Sequence, residues 1–377
     1  MRIEADKDLL IKSIGIADSL IPSRTVNAIL VNCLFKISRD EIEISATDNE
    51  IGIKTRLDAQ ADEDISFTVN GARLSGLLKE LPGGLVTIDI DDSYQIAVKT
   101  KSGSVKGDFT LIGTSAENYP EIPGFNESGA VEINQGDLKD MIRKVIYAAA
   151  ADTIKPFFNG VFFVSQSRQN LTLVATDSRR LSIITRNLKN EIDLDEGIII
   201  PLKAMHELQR LLSSEGMCTF SMRENQCFFK IGRTEFVTRT IDHKFPNYKQ
   251  VIPKEQDITI HVPKNRLAES LRRALIFTRP PANTILCHFK KDLLTIEVKT
   301  SELGECVEDV AVDSDIKEEI TIGLNAQFLY DSIKEMDSEK IITGITGQMS
   351  PVKFIPDNDP DFISVIMPIK IKTTENE

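Results

Sequence analysis

The segment "DKDLLIKSIGIADSL" at residues 6–20 is the first of three similar stretches in the chain. The other two are "QGDLKDMIRKVIYAA" at residues 135–149 and "KNRLAESLRRALIFT" at residues 264–278. Their starting positions, 6, 135 and 264, are evenly spaced by 129 residues. Similarity at a fixed period indicates a repeated structural unit, so we expect three domains of the same fold.

A second motif follows the same spacing. "ISATDNE" at residues 44–50 matches "LVATDSR" at residues 173–179, again 129 residues apart. The third repeat has "TIEVKTSELGE" at residues 295–305 in the corresponding place. This motif is therefore shared by the first two repeats and has diverged in the third.

The same order of elements is predicted within each repeat. An amphipathic helix is indicated where apolar residues recur at helical spacing, as at Leu138, Met141, Ile142, Val145 and Ile146. Strands are indicated by alternation and β-branched residues, as in "DEIEISATD". A second helix is predicted in each repeat, in "GARLSGLLKELP", "LKAMHELQRLLSS" and "NAQFLYDSIKEM".

We therefore predict an α+β protein of three similar domains, each with two helices packed on antiparallel sheets. The boundaries are placed near the proline-rich segments "NYPEIPGFNES" and "FPNYKQVIPKEQ". The predicted domains are residues 1–126, 127–254 and 255–377.

Charge is unevenly distributed along the chain. The 377 residues carry a net charge of -12, yet the six predicted helices are together positive, so the remaining segments are strongly negative. Helices tolerate Lys and Arg well, which is one explanation. The other is a cationic wall of helices that faces a polyanion without reading its sequence. Aromatic residues make up 6% and Trp is absent, which disfavours a platform that stacks single-stranded bases.

Cysteine usage and the N-terminus indicate the compartment. Five cysteines without a CxxC pair favour free thiols in a reducing environment over a disulfide framework or a zinc knuckle. The start "MRIEADKDLL" is too charged for a signal peptide, and no apolar run reaches about 18 residues. We expect a cytoplasmic protein that does not associate with membranes.

No catalytic constellation is evident. The four histidines are scattered, and there is no phosphate-binding glycine loop or nucleophile elbow. Asp89, Asp91 and Asp92 in "TIDIDDSY" are a candidate for a divalent metal, which keeps a metal-dependent enzyme as an alternative. The favoured interpretation is a protein without catalytic residues, metal or cofactor.

Three motifs together resemble the beta subunit family of bacterial DNA polymerase III, the sliding clamps. They are "VATDSRRL" at residues 174–181, "FPNYKQVIP" at residues 245–253 and "VIMPIKI" at residues 365–371. The resemblance implies a head-to-tail homodimer closed into a ring around double-stranded DNA, with helices lining the hole. It further implies a non-catalytic tether for the replicative DNA polymerase and other clamp-motif proteins, opened and closed by an ATP-driven clamp loader.

The resemblance also implies a pocket for partner peptides between the second and third domains. The pocket residues transferred by motif position are Thr176, Ser178, Arg179, Arg180, Leu181, Pro246, Val251, Ser350, Val365, Met367, Pro368 and Ile369. Three further residues are expected as their neighbours in the pocket: Phe158, Asn325 and Phe328. Their apolar members suit a Leu or Phe anchor of a partner. The adjacent pair Arg179 and Arg180 would lie at the rim of this pocket, or would only pair with nearby carboxylates.

Other positions are assigned to DNA and to the dimer. The resemblance places Arg24 and Lys203 at DNA-contacting positions, and Arg73, Phe109, Leu275 and Ile276 at the subunit interface.

The sequence departs from the family pattern at three places. Ser178 stands where Gly is usual, Gln250 stands where a basic residue is common, and the tail Lys372–Glu377 extends beyond many members. A scaffold that binds peptides but not DNA is a further alternative.

Overall fold

The computed structural model describes residues 1–22, 25–102, 105–151 and 153–371. Six α-helices occur in these residues, in three pairs at the predicted places. They are α1 (Lys7–Asp18), α2 (Gly71–Glu80), α3 (Gln135–Ile146), α4 (Leu202–Leu211), α5 (Lys264–Leu275) and α6 (Ala326–Lys334). Their positions confirm the repeat that the sequence predicts.

Each helix buries one apolar stripe and begins at a defined residue. In α5, Leu267, Leu271 and Ala274 are buried at helical spacing, while Arg272 and Arg273 are exposed. Asn325 precedes α6, where its side-chain oxygen accepts a hydrogen bond from the backbone N–H of Phe328 at 3.0 Å. Such a cap satisfies an amide that the helix leaves unpaired and contributes about 1 kcal/mol.

The strands of the described residues are short, and all the pairs between them are antiparallel. In chain order they are β1 (Arg2–Asp6), β2 (Cys33–Ile37), β3 (Glu41–Thr47), β4 (Ile51–Ala61), β5 (Ile65–Val69), β6 (Leu85–Ile90), β7 (Gln95–Ser102), β8 (Val105–Ile112), β9 (Thr114–Ser115), β10 (Val131–Asn134), β11 (Gly160–Val164), β12 (Asn170–Thr176), β13 (Arg180–Asn187), β14 (Ile198–Pro201), β15 (Met217–Arg223), β16 (Gln226–Ile231), β17 (Thr234–Arg239), β18 (Ile258–Pro263), β19 (Thr284–Lys290), β20 (Leu293–Thr300), β21 (Gly304–Ala311), β22 (Asp313–Ser314), β23 (Ile320–Asn325), β24 (Lys340–Ile345), β25 (Val352–Pro356) and β26 (Phe362–Ile366). The α+β class is thereby confirmed.

The chain forms two compact units. The first unit comprises Met1–Gly136 and His206–Thr240 and holds a 13-stranded sheet that includes the path β10-β15-β16-β17-β4-β1-β6-β7-β8. Helix α1 packs against α2 in this unit. Pairing of β17 with β4 joins strands from the first and second predicted domains, with Val237 opposite Gly52.

The second unit comprises Asp137–Met205 and Ile241–Glu377. It holds a nine-stranded sheet in the order β14-β11-β12-β13-β26-β25-β24-β18-β22 and a four-stranded sheet in the order β21-β20-β19-β23. Pairing of β13 with β26 joins strands from the second and third predicted domains, with Leu181 opposite Val365. Because each unit mixes two repeats, the domain boundaries at 126/127 and 254/255 remain a prediction.

In the described part of the chain, no helix has both the length and the apolar character needed to cross a membrane.

Candidate functional site

A cavity of about 190 Å³ opens on the second unit beside the "VATDSRRL" motif. Most of the predicted peptide-pocket residues line it: Phe158, Thr176, Ser178, Arg180, Leu181, Pro246, Val251, Val365 and Met367. Segments that are far apart in the sequence therefore converge on one small, mainly apolar hollow.

The floor of the cavity is a pair of adjacent strands. Leu181 in β13 lies opposite Val365 in β26, and both are buried. They belong to a hydrophobic cluster that also contains Tyr248 and the parallel-stacked rings of Phe162 and Phe245, 4.6 Å apart. Aromatic pairs of this kind stabilise a core beyond the burial of their area. The floor of the cavity is thus part of a well-packed hydrophobic cluster.

One wall is a tight turn between β12 and β13. The Asp177 carboxylate accepts hydrogen bonds from the backbone N–H groups of Arg179 and Arg180 at 2.9 and 3.0 Å. The Thr176 hydroxyl donates to the Arg180 carbonyl at 2.6 Å. Ser178 has φ 76°, in the left-handed region that favours glycine, so a serine here holds a turn that glycine would adopt more easily.

The opposite wall is the segment that follows β17. A single 3₁₀ turn, Tyr248–Val251, carries Val251 to the cavity mouth, where 41% of its surface is exposed. Tyr248 is buried beneath it, and burial raises the pKa of its hydroxyl. Met367 is also partly exposed and faces the same opening. Exposed apolar side chains around a hollow are typical of a site for an apolar group.

The two adjacent arginines have different surroundings. The Arg180 guanidinium pairs with Asp177 at 3.1 Å and with Asp331 at 2.9 Å, and lies 4.4 Å from the centre of the Phe328 ring. Arg180 is thus paired with carboxylates and also lines the cavity. Arg179 is exposed, and its carbonyl accepts the backbone N–H of Met367 at 2.8 Å.

The other predicted pocket residues lie beyond the cavity lining. Asn325 is buried as the cap of α6, and its amide donates to the Ala282 carbonyl at 2.7 Å. Phe328 is not a lining residue, but its ring lies 4.4 Å from the guanidinium of Arg180, which lines the cavity. The remaining ones are partly exposed in loops or end segments: Ser350, Pro368 and Ile369. Their role in the pocket stays a prediction.

Two lining residues were missed by the sequence analysis. Asn247 and Tyr248 line the cavity, although only their neighbours in "FPNYKQVIP" were assigned to it. Because Tyr119 precedes Tyr248 by 129 residues, the repeat itself carried a signal that could have identified this position.

The first unit contains a copy of the same turn. The Thr47 hydroxyl donates to the Ile51 carbonyl at 2.7 Å, and the Asp48 carboxylate accepts the N–H groups of Glu50 and Ile51 at 2.9 and 2.8 Å. Asn49 has φ 75°, almost the value of Ser178. These three hydrogen bonds are therefore the same in the two turns.

The hollow beside this first turn is filled by the chain itself. Gly52 stands where the second repeat has Leu181, and a Cβ on Gly52 would lie 2.6 Å from the Ile122 side chain. Ile122 corresponds to Val251 but is 7% exposed instead of 41%. Phe228 is fully buried and lies opposite Val237. The open cavity is thus a property of the second copy.

The helix charges are only partly available at the surface. Several cations of the predicted helices form ion pairs with carboxylates. Arg143 pairs with Asp140 and Glu335, Lys144 pairs with Asp359, and Arg273 pairs with Glu308. The exposed helix cations in the described residues are Lys12, Arg73, Lys79, Lys203, Arg210, Arg266, Arg272, Arg273 and Lys334, and four of them, Arg210, Arg266, Arg273 and Lys334, also pair with nearby carboxylates. Of the two predicted DNA contacts, Lys203 is exposed on α4, and Arg24 lies outside the described residues.

The predicted interface residues lie near two sheet edges. Strand β8, which carries Phe109, is an outer strand of the 13-stranded sheet, and β21 is an outer strand of the four-stranded sheet. Ile276, just after α5, is 71% exposed, whereas Leu275 is half-buried. Arg73 is exposed on α2. Two further exposed apolar residues on these edges, Ile112 and Val307, were not predicted.

The acidic cluster at the end of β6 is occupied by its own neighbours. Asp89 pairs with Lys99 and, at 3.1 Å, with Arg2. Its pKa is lowered chiefly by the hydrogen bond from Lys99. Asp91 accepts the N–H groups of Ser93 and Gln95 and so closes the turn. In the described chain no three His, Cys, Asp or Glu side chains form a group that could hold a metal.

Comparison with known proteins gives a consistent family. Models of the DNA polymerase III beta subunit match in chain order: the N-terminal domain at residues 1–123, the central domain at residues 132–247 and the C-terminal domain at residues 249–370.

Curated relatives and solved structures agree with these matches. The beta sliding clamps of Halalkalibacterium halodurans and Bacillus subtilis are 27% and 26% identical, each over 98% of this chain and 100% of its own. A crystal structure of the B. subtilis sliding clamp is 25% identical, with a TM-score of 0.92 over 98% of this chain and 99% of its own. The Thermotoga maritima beta subunit is 26% identical, with a TM-score of 0.88 over the same shares.

Proposed function

Because the chain belongs to the DNA polymerase III beta subunit family, and so functions as a sliding clamp, we propose that two copies close into a ring around duplex DNA. The observation that carries this proposal is the match of all three family domains, in chain order, between residue 1 and residue 370. The ring has no catalytic activity of its own, acts in the cytoplasm, and is built from domains 1–126, 127–254 and 255–377.

Ring closure is supported by the two outer strands. Strand β8 in one copy would meet β21 in the other, so that both edges find partners for their backbone groups. Phe109 and Ile112 on β8, with Val307 on β21 and Ile276 after α5, supply exposed apolar surface for a head-to-tail contact. Arg73 and Leu275 complete the proposed interface.

Duplex DNA would be retained mainly because the closed ring surrounds it, and attraction between helix cations and phosphates would add a weak contribution. The exposed helix cations, Lys203 among them, would face phosphates, as would Arg24, while the overall charge of -12 would repel DNA from the outside. Contacts of this type are not sequence-specific and weaken with salt. A clamp loader would open the ring and place it on DNA.

The cavity beside Leu181 is proposed as the docking site for the replicative DNA polymerase and other clamp-motif proteins. Its apolar floor suits a Leu or Phe side chain, and the polar turn at Ser178 offers hydrogen bonds to the backbone of a bound segment. Arg179 and the outlying positions Asn325, Phe328, Ser350, Pro368 and Ile369 would contact residues that flank the anchor.

A charge-reversal experiment separates the clamp from a peptide-binding scaffold. We expect Arg24→Glu with Lys203→Glu to shorten the products of the replicative polymerase in primer extension, with the difference from wild type largest at low salt and shrinking as salt rises. The matched control is Lys291→Glu with Lys317→Glu, two exposed loop lysines that change the net charge equally. Equal product lengths for both double variants would favour the scaffold.

A further inference from the structure

The floor of the cavity continues beyond the residues that line it. Thr176, Leu181 and Val365 lie opposite one another on β12, β13 and β26, and Lys353 on β25 lies opposite Val365. Directly opposed residues of antiparallel strands project from the same face of the sheet. Lys353 therefore extends the apolar floor by one strand with a cationic side chain.

No carboxylate of the described residues lies within ion-pair distance of Lys353. Its second cross-strand neighbour is Gly344, over which the Gln256 amide lies, since a Cβ there would be 2.3 Å from that side chain. Along β25 the residues on the same face are Pro351 and Ile355. Among the side chains that the structure describes, Lys353 has neither an ion pair nor a hydrogen bond, and it is half-buried.

The first unit has a different residue at the position that corresponds to Lys353, and there the hollow is filled. Phe228 lies opposite Val237 as Lys353 lies opposite Val365, and Phe228 is 1% exposed. An aromatic ring at this place belongs to the filled core around Ile122. In the second unit, Lys353 does not fill this position with an aromatic ring and adds a positive charge instead. Partial burial lowers the pKa of Lys353, because the ammonium has lost water without gaining a counter-ion.

We propose that Lys353 forms a carboxylate subsite of the pocket, so that the pocket favours segments with an acidic residue beside the apolar anchor. The inference rests on the proposed role of the cavity as a peptide site. A carboxylate next to Lys353 would restore a charged partner to a partly dehydrated ammonium. Such a contact affects which segments bind more than it affects the affinity for the apolar anchor.

The test compares two short synthetic peptides with the same Leu and Phe anchors, one carrying Glu beside them and the other Gln. We expect the wild-type protein to bind the Glu peptide about five- to tenfold more tightly in titration calorimetry, with the difference shrinking at high salt. Lys353→Met should abolish the preference and leave the Gln peptide nearly unaffected. Lys353→Arg should retain the preference.

Two controls separate this inference from its premise. Lys249→Met removes an exposed lysine of the Tyr248–Val251 turn and should preserve the Glu preference. Leu181→Ala with Met367→Ala should weaken both peptides equally. If Lys353→Met keeps the Glu preference, or weakens both peptides alike, the subsite is refuted while the pocket stands. If the wild-type protein binds neither peptide, the pocket fails and the subsite with it.

Discussion

Individual residues decide which of the two duplicated turns opens into a cavity. The sequence predicts the turns well, because "ATDN" and "ATDS" recur at the repeat spacing. It does not predict that Ile122 covers Gly52, since this contact depends on a side-chain direction set by tertiary packing. The 3₁₀ turn at Tyr248–Val251 directs Val251 outward, whereas the corresponding residues 119–122 form no such turn.

The close packing around Gly52 in the first unit predicts that one added methyl group at this position destabilises the protein. Gly52→Ala would place a Cβ 2.6 Å from Ile122 and 3.0 Å from Val237, two β-branched side chains that cannot easily move aside. We expect a loss of about 1–3 kcal/mol in the free energy of unfolding, measured by urea denaturation. Adding Ile122→Ala should recover part of the loss that Gly52→Ala causes.

A glycine without neighbours provides the control. Gly15 lies within α1, and a Cβ there meets no atom within 4 Å. Gly15→Ala should leave stability unchanged or raise it by about 0.5–1 kcal/mol, because alanine favours the helix. Equal effects of the two substitutions would show that Ile122 does not fill the place above Gly52.

At the scale of elements, prediction succeeds where periodicity is strong. All six helices lie where apolar spacing placed them, because a buried stripe such as Leu267, Leu271 and Ala274 leaves a clear pattern. The pairing of β4 with β17 and of β13 with β26 could not be predicted, since neither the partner nor the register is encoded in alternation alone. The cavity depends on the second of these pairings.

Helix α3 is fastened to the second unit by a buried ionic network. Lys144 is 5% exposed and contacts the Asp359 carboxylate at 3.1 Å, while Arg186 donates to the same carboxylate at 3.0 Å. Burial by itself would raise the pKa of Asp359, but hydrogen bonds from Arg186 and Lys144 outweigh it and lower the pKa. The charged form is thus favoured in the folded state.

This lowered pKa predicts the sign of a pH effect. The stabilisation by Asp359 is complete above the unfolded carboxyl pKa of about 4 and is lost as pH falls through the lower folded value. Asp359→Asn should cost about 1–3 kcal/mol at pH 7 in urea denaturation and should flatten the acid-side decline. Asp357→Asn, at an exposed neighbour, should do neither. An unchanged acid-side slope in Asp359→Asn would contradict this role.

For the whole molecule, the repeat and the motifs were sufficient to predict the family. They gave three domains and an α+β class, and the uneven charge indicated a polyanion partner. They overestimated the cationic surface, because Arg143 and Lys144 pair with carboxylates that come from distant parts of the sequence. Such long-range pairing is invisible to a count of charges along helices.

The most direct measurement of the central proposal is retention on DNA before and after the DNA is cut. A loader places the protein on a nicked circular plasmid, and gel filtration then follows the bound fraction in the presence of salt. If two chains enclose the duplex, the protein stays with the circle and is released when one restriction cut linearises it. Equal retention on circular and linear DNA would contradict a ring held by topology.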